Sequence, residues 1–474
     1  MKKSRYLFFL LFLIFSCKSN KNLISVKSMK TDLDSLVSII EEIHINPYYR
    51  YPKKSFYKEI DSVKKKLNKP LNKIEFSNIV IPIVAKLNDG HTEFYKPYDF
   101  FYKKNPWIFP YNVETNNNYP YIRISEGIGK IPINSEVLSI NGIDSKSIIM
   151  NLSKYESGEE KSFKAKWIAY NFDYYLNTIY NIKSKCLVKY KYNNKIYEKE
   201  IKLIKQNEFD KVSSKIFPPT ETKYKPYSLK IIDSLNTAII DFKSFENVER
   251  FRIFIDSVFN VIKRKNLNNL IIDIRENSGG NSEIGNEFLQ YLAKSDFNQY
   301  SNQTILKVSQ QVKNRYKKDI KEIKNYKKIT KSDSISIKEM NQVFSIPNGT
   351  IITCPYAKNL IKLKNKKNRF NGYVYVLTSE QTYSSASDFA QAIKAYKLGK
   401  IIGEETGGWI VCYGDIIDDQ LPNSKLKMGV SCVKFINIGA KEDDWHGVIP
   451  DIEIPANKSL KYTLEMIDDK KTYR

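Results

Sequence analysis

From residue 229 onward the chain alternates short apolar runs with longer amphipathic runs, and this alternation constrains the fold more than any other feature. The short runs are typical of buried strands, whereas the longer runs repeat apolar residues at helical spacing. The predicted strands and helices are Thr237–Phe242, Val248–Lys265, Asn269–Ile274, Glu283–Leu292, Tyr373–Leu377, Ser385–Tyr396 and Lys400–Ile402. Strands that alternate with helices predict an α/β core with mostly parallel pairing.

Three units are predicted along the chain. The α/β core spans residues 228–460, and a lysine-rich insertion that is helical in places interrupts it at about residues 299–350. An N-terminal helical segment occupies residues 30–100, where apolar residues repeat at helical spacing. Residues 101–205 differ from both, because they carry short alternating runs separated by turn signals and therefore predict a small β-rich domain.

The N-terminus is typical of an export signal. Basic residues among the first five precede the apolar run Tyr6–Phe15, which is too short to span a bilayer as a helix but suits a secretory signal. Ile14–Cys17 resembles a bacterial lipobox with Cys17 as the lipidated residue. We therefore expect a signal peptide over residues 1–17 and a tether over 18–29. An uncleaved anchor or a simple signal peptide is the alternative, and each of these takes the protein out of the cytoplasm.

The expected location is the cell envelope, with the protein lipid-anchored to the outer membrane through Cys17. Lys18–Asn22, which follows the anchor, lacks the acidic cluster expected of a surface-export signal. The periplasmic face of the membrane is therefore the predicted side.

A formal net charge of +25 raises the question of a nucleic-acid partner, and the composition argues against one. Only 10 of the 77 basic residues are arginine, and the lysines are spread through the whole chain, including the predicted strands. Proteins that bind nucleic acids usually cluster basic residues on one face and use arginine for bidentate contacts. A solvated basic surface is the simpler interpretation, so we expect no nucleic-acid partner.

Cysteine and histidine are few. Besides Cys17 the cysteines are Cys186, Cys354, Cys412 and Cys432, and the sequence contains three histidines. Cys412 and Cys432 are the first pair to test for a disulfide, although four unpaired buried thiols are equally consistent with the spacing. No spacing of Cys or His residues suggests a metal site, so we expect neither a metal nor a cofactor.

Ser385 is the first candidate catalytic residue, because it stands between a predicted strand and a predicted helix. Such a turn presents a hydroxyl at the end of a sheet, and the free N–H groups of the helix N-terminus can stabilise a developing oxyanion. The flanking residues Ser384, Ala386 and Ser387 are small and leave room for a substrate carbonyl. Taken alone, this serine could equally be an ordinary helix cap.

Two further loops carry candidate functional residues. Asp273–Gly280 follows a predicted buried strand, and its two glycines allow backbone N–H groups to approach a ligand closely. The loop Asp89–Thr92 contains His91, whose side chain suits proton transfer near neutral pH. Each loop also has a purely structural interpretation: the first could be an ordinary tight turn, and His91 could be a structural histidine.

Taken in chain order, these three loops together resemble the C-terminal processing (tail-specific) protease family, and more closely its tricorn-like branch. The predicted lipid anchor would make the protein a bacterial lipoprotein member of that family. Ile402–Gly408 and Gly447–Ile452 match two more motifs of the family, in the same order. The resemblance covers about residues 30–455. It implies a crotonase-like (ClpP-like) strand–helix core, an N-terminal helical segment, a PDZ-like domain at residues 101–205, and serine peptidase activity on peptide or protein substrates.

The resemblance also implies roles for individual residues. Members of the Ser–Lys type carry a lysine where this chain has Trp409, so the base implied by the tricorn-like branch is His91. Asp444 is the best positional match for the acid that orients the histidine, with Glu442 and Asp443 as rivals. The implied oxyanion donors are the N–H of Ala386 and that of Gly279 or Gly280. The branch often has a serine before its histidine, whereas this chain has Gly90.

Two alternatives to a peptidase stay open at this point. A catalytically silent protein could keep the fold and use the same surfaces to hold peptides. A hydrolase acting on non-peptide esters or amides could use the same residues, because a fold does not determine the substrate.

Overall fold

The computed structural model describes residues 23–116, 120–216, 225–325, 329 and 331–472. The predicted signal peptide, the lipidation site Cys17 and the first part of the tether lie outside these ranges and stay predictions. Among the helices within them, none is both long enough and apolar enough to cross a membrane.

The N-terminal unit, over its described residues, is built mainly from helices. Its elements are β1 (Leu23–Ile24), α1 (Val26–Ile43), α2 (Lys53–Lys66), β2 (Leu71–Asn72), α3 (Lys73–Ala85), β3 (Glu93–Phe94) and α4 (Tyr98–Tyr102). Ser25 caps α1, and Asn72 with Glu75 forms a capping box at the start of α3. The helices bury one apolar face, so the predicted periodicity is also the packing surface.

The middle unit is a small antiparallel sheet with helices packed against it. Its elements are β4 (Trp107–Ile108), β5 (Tyr111–Asn116), β6 (Tyr121–Gly127), β7 (Glu136–Ile140), β8 (Ile143–Asp144), α5 (Ser145–Leu152), α6 (Lys161–Tyr170), α7 (Phe172–Thr178), β9 (Lys185–Tyr192), β10 (Lys195–Lys202), β11 (Ile204–Lys205) and α8 (Gln206–Ile216). The main strand order is β10-β9-β7-β6-β5. The unit has a hydrophobic core of its own, which is what a separate domain requires.

The C-terminal unit contains the predicted alternation of strands and helices. Its elements are β12 (Tyr227–Ile232), β13 (Thr237–Phe242), α9 (Val248–Arg264), β14 (Asn269–Asp273), α10 (Glu283–Leu289), β15 (Ile305–Lys307), α11 (Gln310–Lys324), α12 (Lys331–Val343), β16 (Ile351–Thr353), β17 (Tyr373–Thr378), α13 (Ser385–Ala395), β18 (Lys400–Gly403), β19 (Val411–Gln420), β20 (Lys427–Ile436), β21 (Ile452–Glu453) and α14 (Ala456–Thr472). The main sheet has the order β12-β13-β14-β17-β18-β21, and all neighbours after β12 pair in parallel. The prediction of a mixed α/β core is therefore confirmed.

Both faces of the parallel sheet are covered. Alternate residues of β14 point to opposite sides: Leu270 and Ile272 lie in the core shared with α9, α10 and α13, whereas Ile271 lies in the core shared with α14. A strand buried on both faces needs apolar residues at every position, which is why these strands appear in the sequence as continuous apolar runs.

A second sheet joins the C-terminal unit to the N-terminal helices. Its main order is β16-β15-β20-β19, and β3 from the N-terminal unit pairs with β20. The segment predicted as an insertion lies outside the parallel sheet, yet it supplies β15, and its Leu306, Val312 and Tyr316 are buried in the core that contains α1 to α3. The N-terminal unit is thereby tied to the half of the protein that carries Ser385.

The four cysteines other than Cys17 are free and buried. The suggested disulfide between Cys412 and Cys432 is therefore wrong for this structure, and the alternative of buried thiols holds. Cys432 lies in the middle of β20 and donates from Sγ to the carbonyl of Asp415 at 2.9 Å, so it acts as a small core residue.

Candidate active site

The loops after β14 and β17 meet at the carboxyl edge of the parallel sheet, where open α/β sheets bind ligands. Asn277, which is fully buried, joins them: its carbonyl accepts from Tyr383 N at 3.0 Å, and its side-chain oxygen accepts from Gly279 N at 2.9 Å. The sequence alone did not single out Asn277. It holds the diglycine loop against the turn that carries the candidate nucleophile.

That turn is strained. Ser384, which immediately precedes α13, has φ of 52° and ψ of −131°, a conformation that residues other than glycine rarely adopt. A Cβ atom added to Gly279 would lie 2.8 Å from Ser384 Cβ, and one added to Gly408 would lie 2.6 Å from Ser384 N. Both predicted glycine motifs therefore pack directly against the serine turn, and neither position has room for a side chain.

Ser385 is the first residue of α13 and is 3% exposed. Its hydroxyl donates to the carbonyl of Gly280 at 2.7 Å and lies 2.9 Å from Ser282 Oγ. Ser282 Oγ is 2.7 Å from the Tyr300 hydroxyl, which lies 3.0 Å from Asp388 Oδ2. A chain of hydroxyl groups thus connects the predicted nucleophile to a buried carboxylate, although only Ser385 was singled out from the sequence.

Asp388 gives this chain a pH dependence. Burial raises the pKa of Asp388 to about 6, even though hydrogen bonds from Asn437 and Tyr300 favour the carboxylate. The folded state therefore holds the proton more tightly than the unfolded chain does, where the ordinary value is 3.8. The stabilisation from this group is complete below about pH 4 and is lost as the pH rises through 6.

We expect Asp388→Asn to remove this loss. Between pH 4 and 7 the free energy of unfolding of the wild type should fall by about 3 kcal/mol more than that of the variant, since one pKa unit corresponds to about 1.4 kcal/mol. Urea denaturation at several pH values measures the difference. The exposed Asp61→Asn should keep the wild-type slope, and an Asp388→Asn variant that also keeps it would contradict the prediction.

His91 reaches the serine turn from the N-terminal unit. Its Nε2 atom lies 3.3 Å from Ser384 Oγ, and its ring stacks on Tyr383 with the centroids 5.3 Å apart. The hydroxyl in contact with His91 is therefore that of Ser384, while the adjacent Ser385 hydroxyl points to Gly280. The structure thus brings two predicted site residues, His91 and Ser385, to the same turn without a direct hydrogen bond between their side chains.

Asp89 holds the His91 loop in place. Its Oδ1 accepts from His91 N at 3.0 Å, and its Oδ2 lies 3.2 Å from His44 Nε2 and accepts from Ser431 Oγ at 2.7 Å and from the Thr92 hydroxyl. Burial alone would raise the pKa of Asp89, but the hydrogen bond and charge of His44, with further help from His91 and Thr92, hold it well below its usual range. Asp89 is therefore a fully buried carboxylate whose role is to anchor the loop.

A second carboxylate lies near the His91 ring. One ring nitrogen of His91 and one oxygen each of Asp89 and Glu159 lie within 4.8 Å of one another. Three such groups could hold a metal ion, but donors of the protein itself already bind both carboxylates. His91 Nδ1 is buried and has no hydrogen-bond partner in the part of the chain that the structure describes.

Asp444, the predicted orienting acid, binds within its own turn. Its Oδ2 accepts from Lys441 N at 2.8 Å and closes a short turn, and no hydrogen bond or ion pair joins it to His91 within the described residues. Its rival Glu442 binds Lys434. The physical reason is local, because the carboxylate of Asp444 is used by the backbone of its own turn.

The predicted oxyanion donors differ in availability. Gly279 N is bound to Asn277, and Ala386 N donates to the carbonyl of Tyr383 at 3.2 Å. For the N–H of Gly280 there is no such partner among the described residues, and a Cβ added to Gly280 would overlap the carbonyl of Phe245. The N–H of Gly280 is therefore the donor best able to bind an oxyanion. The position has no room for a side chain.

Trp409 stands where the resemblance places the lysine base of Ser–Lys type peptidases. Its Nε1 atom donates to Glu160 Oε1 at 3.2 Å, and the guanidinium of Arg50 lies 3.8 Å from the centre of its ring. An indole has no basic nitrogen, so it cannot take a proton from a serine. The residue instead binds the middle unit to the edge of the site.

Comparisons with known proteins bear on the fold of the chain and on the family of its C-terminal unit. Residues 236–454 match the model of Peptidase family S41. The structure of mature CPAF complexed with lactacystin has a TM-score of 0.65 at 13% identity, and the match covers 94% of this chain and 98% of that one. A crystal structure of mature CPAF has a TM-score of 0.65 at 14% identity, with 94% and 96% covered. The photosystem II D1 C-terminal processing protease has a TM-score of 0.46 at 11% identity, with 93% and 97% covered. No curated protein sequence matches the chain significantly.

The match to CPAF extends over nearly the whole of both chains, so the two proteins share their fold beyond the peptidase domain. The family match covers the loops of Gly280, Ser385 and Gly408, which form the serine turn. The chain therefore carries a match to Peptidase family S41 at residues 236–454, a range that includes the serine turn.

Proposed function

We propose that this protein is an exported serine peptidase that cleaves peptide bonds through an acyl-enzyme on Ser385, with His91 as the general base. Export rests on the predicted signal peptide alone. The observation that carries the catalytic proposal is the contact between His91 Nε2 and the serine turn, 3.3 Å from Ser384 Oγ and 293 residues away in sequence. A fold that brings a histidine to a strained serine turn beside a free backbone N–H has the parts that acyl transfer needs.

We further propose the finer fold assignments that the family implies. Parallel strands with helices on both faces support a crotonase-like core, and the antiparallel sheet β10-β9-β7-β6-β5 with α6 beside β5 supports a PDZ-like middle unit. A PDZ-like unit beside the site would hold an extended peptide by adding it to a sheet edge. Peptide or protein substrates are the class that fits both parts.

In the proposed mechanism the Ser385 side chain first rotates away from the carbonyl of Gly280. His91 Nε2 then takes the hydroxyl proton while Oγ attacks the peptide carbonyl, and the N–H of Gly280 binds the oxyanion. The protonated His91 gives its proton to the leaving amine as the C–N bond breaks, leaving an acyl-enzyme. A water molecule, deprotonated by His91, hydrolyses the ester and restores Ser385.

Ser384 is the rival nucleophile, because its hydroxyl is the one that contacts His91. In the proposal its role is to hold the His91 ring until Ser385 rotates into place. Ser385 is preferred because it stands at the position that the family motif gives to the nucleophile and because it begins α13, so the helix dipole favours negative charge beside it. The two assignments differ in which serine becomes acylated.

A fluorophosphonate probe separates these possibilities. We expect the folded wild type to form one covalent adduct, which peptide mapping by mass spectrometry places on Ser385. Ser385→Ala should abolish labelling, and Ser384→Ala should retain it at a reduced rate. An adduct on Ser384 would overturn the assignment of the nucleophile, and a folded wild type that never labels would favour the silent peptide-binding alternative.

A further inference from the structure

We propose that Glu159, which belongs to the middle unit, is the acid that positions His91 and stabilises its protonated form. The inference rests on the proposed function, since it concerns the base of the same reaction. It assigns to the middle unit a part of the catalytic apparatus, whereas the sequence had placed the orienting acid in the core domain at Asp444.

The first observation is the place of the Glu159 carboxylate. Oε1 accepts from Gly90 N at 3.2 Å, which is the residue directly before His91, and Oε2 accepts from the Tyr383 hydroxyl at 2.6 Å. Tyr383 in turn stacks on the His91 ring and directly precedes the serine turn. Glu159 is therefore hydrogen-bonded to the residue before His91 and to the residue before Ser384.

The second observation is the space at Gly90. A Cβ atom there would overlap the Tyr383 hydroxyl and would lie 3.0 Å from Glu159 Oε2. A side chain at position 90 would therefore displace the Tyr383–Glu159 pair. The absence of a serine before the histidine thus makes room for a hydroxyl from Tyr383, which is held by Glu159.

The third observation concerns the competing carboxylate. Asp89 already binds His44, Thr92 and Ser431 through Oδ2 and the backbone N–H of His91 through Oδ1. Asp89 thus has four hydrogen-bond partners, whereas Glu159 accepts two hydrogen bonds, one at each oxygen, and keeps lone pairs for the ring. Since buried His91 Nδ1 has no partner among the described residues, a small approach of Glu159 would satisfy it.

The charges around Glu159 favour this role. Burial and the negative charge of Asp89 raise the pKa of Glu159, whereas His91, Tyr383 and the N–H of Gly90 act in the opposite direction. A cation that forms on His91 would therefore stabilise the Glu159 carboxylate, and the carboxylate would stabilise the cation. The other charged groups that face this carboxylate are Lys164, on α6, and Arg50, whose guanidinium binds the Glu159 carbonyl.

Two contacts that follow Glu159 in sequence fix its segment to the core. Phe163 of α6 stacks on Tyr383 with the ring centroids 4.0 Å apart, and Glu160 accepts a hydrogen bond from Trp409. These contacts set the position of Glu159 relative to His91. Undocking the middle unit would withdraw the acid from the base.

The test compares Glu159→Gln, which keeps the shape of the side chain and removes its charge, with Glu136→Gln as the matched control, because Glu136 is an exposed glutamate of β7 in the same unit. We expect Glu159→Gln to slow fluorophosphonate labelling and peptide hydrolysis about 100-fold, mostly in kcat, as loss of an orienting partner typically does. The pH midpoint of the labelling rate should move to lower pH, because the protonated base loses its counter-charge. Glu136→Gln should stay within about twofold of the wild type in both measurements.

The outcomes separate this inference from the proposed function. A wild type that does not label at all removes the proposed function. A wild type that labels, together with a Glu159→Gln variant of unchanged rate and pH midpoint, overturns only the role of Glu159. A fall in rate without a shift of the midpoint, or an equal fall in Glu136→Gln, would show that Glu159 acts only through structure and would also overturn its role. Thermal melting confirms that each variant is folded.

Discussion

Replacing Ser385 by alanine is expected to lower kcat/KM for a peptide substrate by about 10⁴- to 10⁶-fold, the loss typical of removing the nucleophile of a serine peptidase. His91→Ala should cost nearly as much, because without a base the hydroxyl attacks poorly. The double variant should be little worse than either single one, since nucleophile and base act as a unit. Hydrolysis of a fluorogenic peptide library by the purified variants provides the measurement.

Ser384→Ala is the informative control for this prediction. The substitution removes the hydroxyl that contacts His91 Nε2 but keeps the turn and the start of α13. We therefore expect kcat/KM to fall by about 10- to 100-fold. Additive losses in the double variant of Ser385 and His91 would show that the two groups do not act together. A Ser384 variant as inactive as Ser385→Ala would transfer the nucleophilic role to Ser384.

Replacing Asp89 by alanine is expected to have the largest effect on stability, lowering the free energy of unfolding by about 3–5 kcal/mol. Asp89 is 1% exposed and accepts hydrogen bonds from His44, Thr92 and Ser431. Its removal leaves these donors buried without an acceptor, and each such group costs free energy. The loss spans two units, because His44 follows α1, whereas Ser431 lies in β20.

Equilibrium denaturation in guanidinium chloride measures this effect. Asp34→Ala is the matched control, because Asp34 pairs with Lys64 but is 69% exposed, so its loss should be within about 1 kcal/mol. Asp89→Ala should also lower the labelling rate, since the carboxylate holds the backbone N–H of His91. An Asp89→Ala protein as stable as the control would show that the buried network contributes nothing to folding.

The parallel core was predictable because its signal is local. Strands such as β14 and β17 are buried on both faces and therefore form continuous apolar runs, and the helices between them repeat apolar residues at 3.6-residue spacing. The predicted starts of α9, α10 and α13 coincide with the observed ones. The second sheet was not predictable in the same way, because β15 and β20 pair across more than a hundred residues and β3 comes from another unit.

The site was predictable in its loops and only partly in its contacts. The structure brings Ser385, His91 and Gly280 together at the serine turn, and their catalytic roles stay predictions. Asp444 binds its own turn instead of His91, because a short loop satisfies its backbone with the nearest carboxylate. Ser282, Tyr300 and Asn277 gave no signal of their own in the sequence, since a polar residue in a loop shows its partner only after the loops have packed.

Local chemistry along the chain was enough to determine the strand and helix pattern, the serine at a strand-to-helix turn and the two glycine loops. Only the tertiary structure decided which groups stand beside His91. Glu159 lies 69 residues from Gly90, and it reaches the His91 loop because the middle unit docks on the core through Phe163 and Glu160. Local propensity depends on neighbours in sequence, whereas the contacts between a carboxylate and a histidine loop from different units depend on distances that exist only after the three units have packed together.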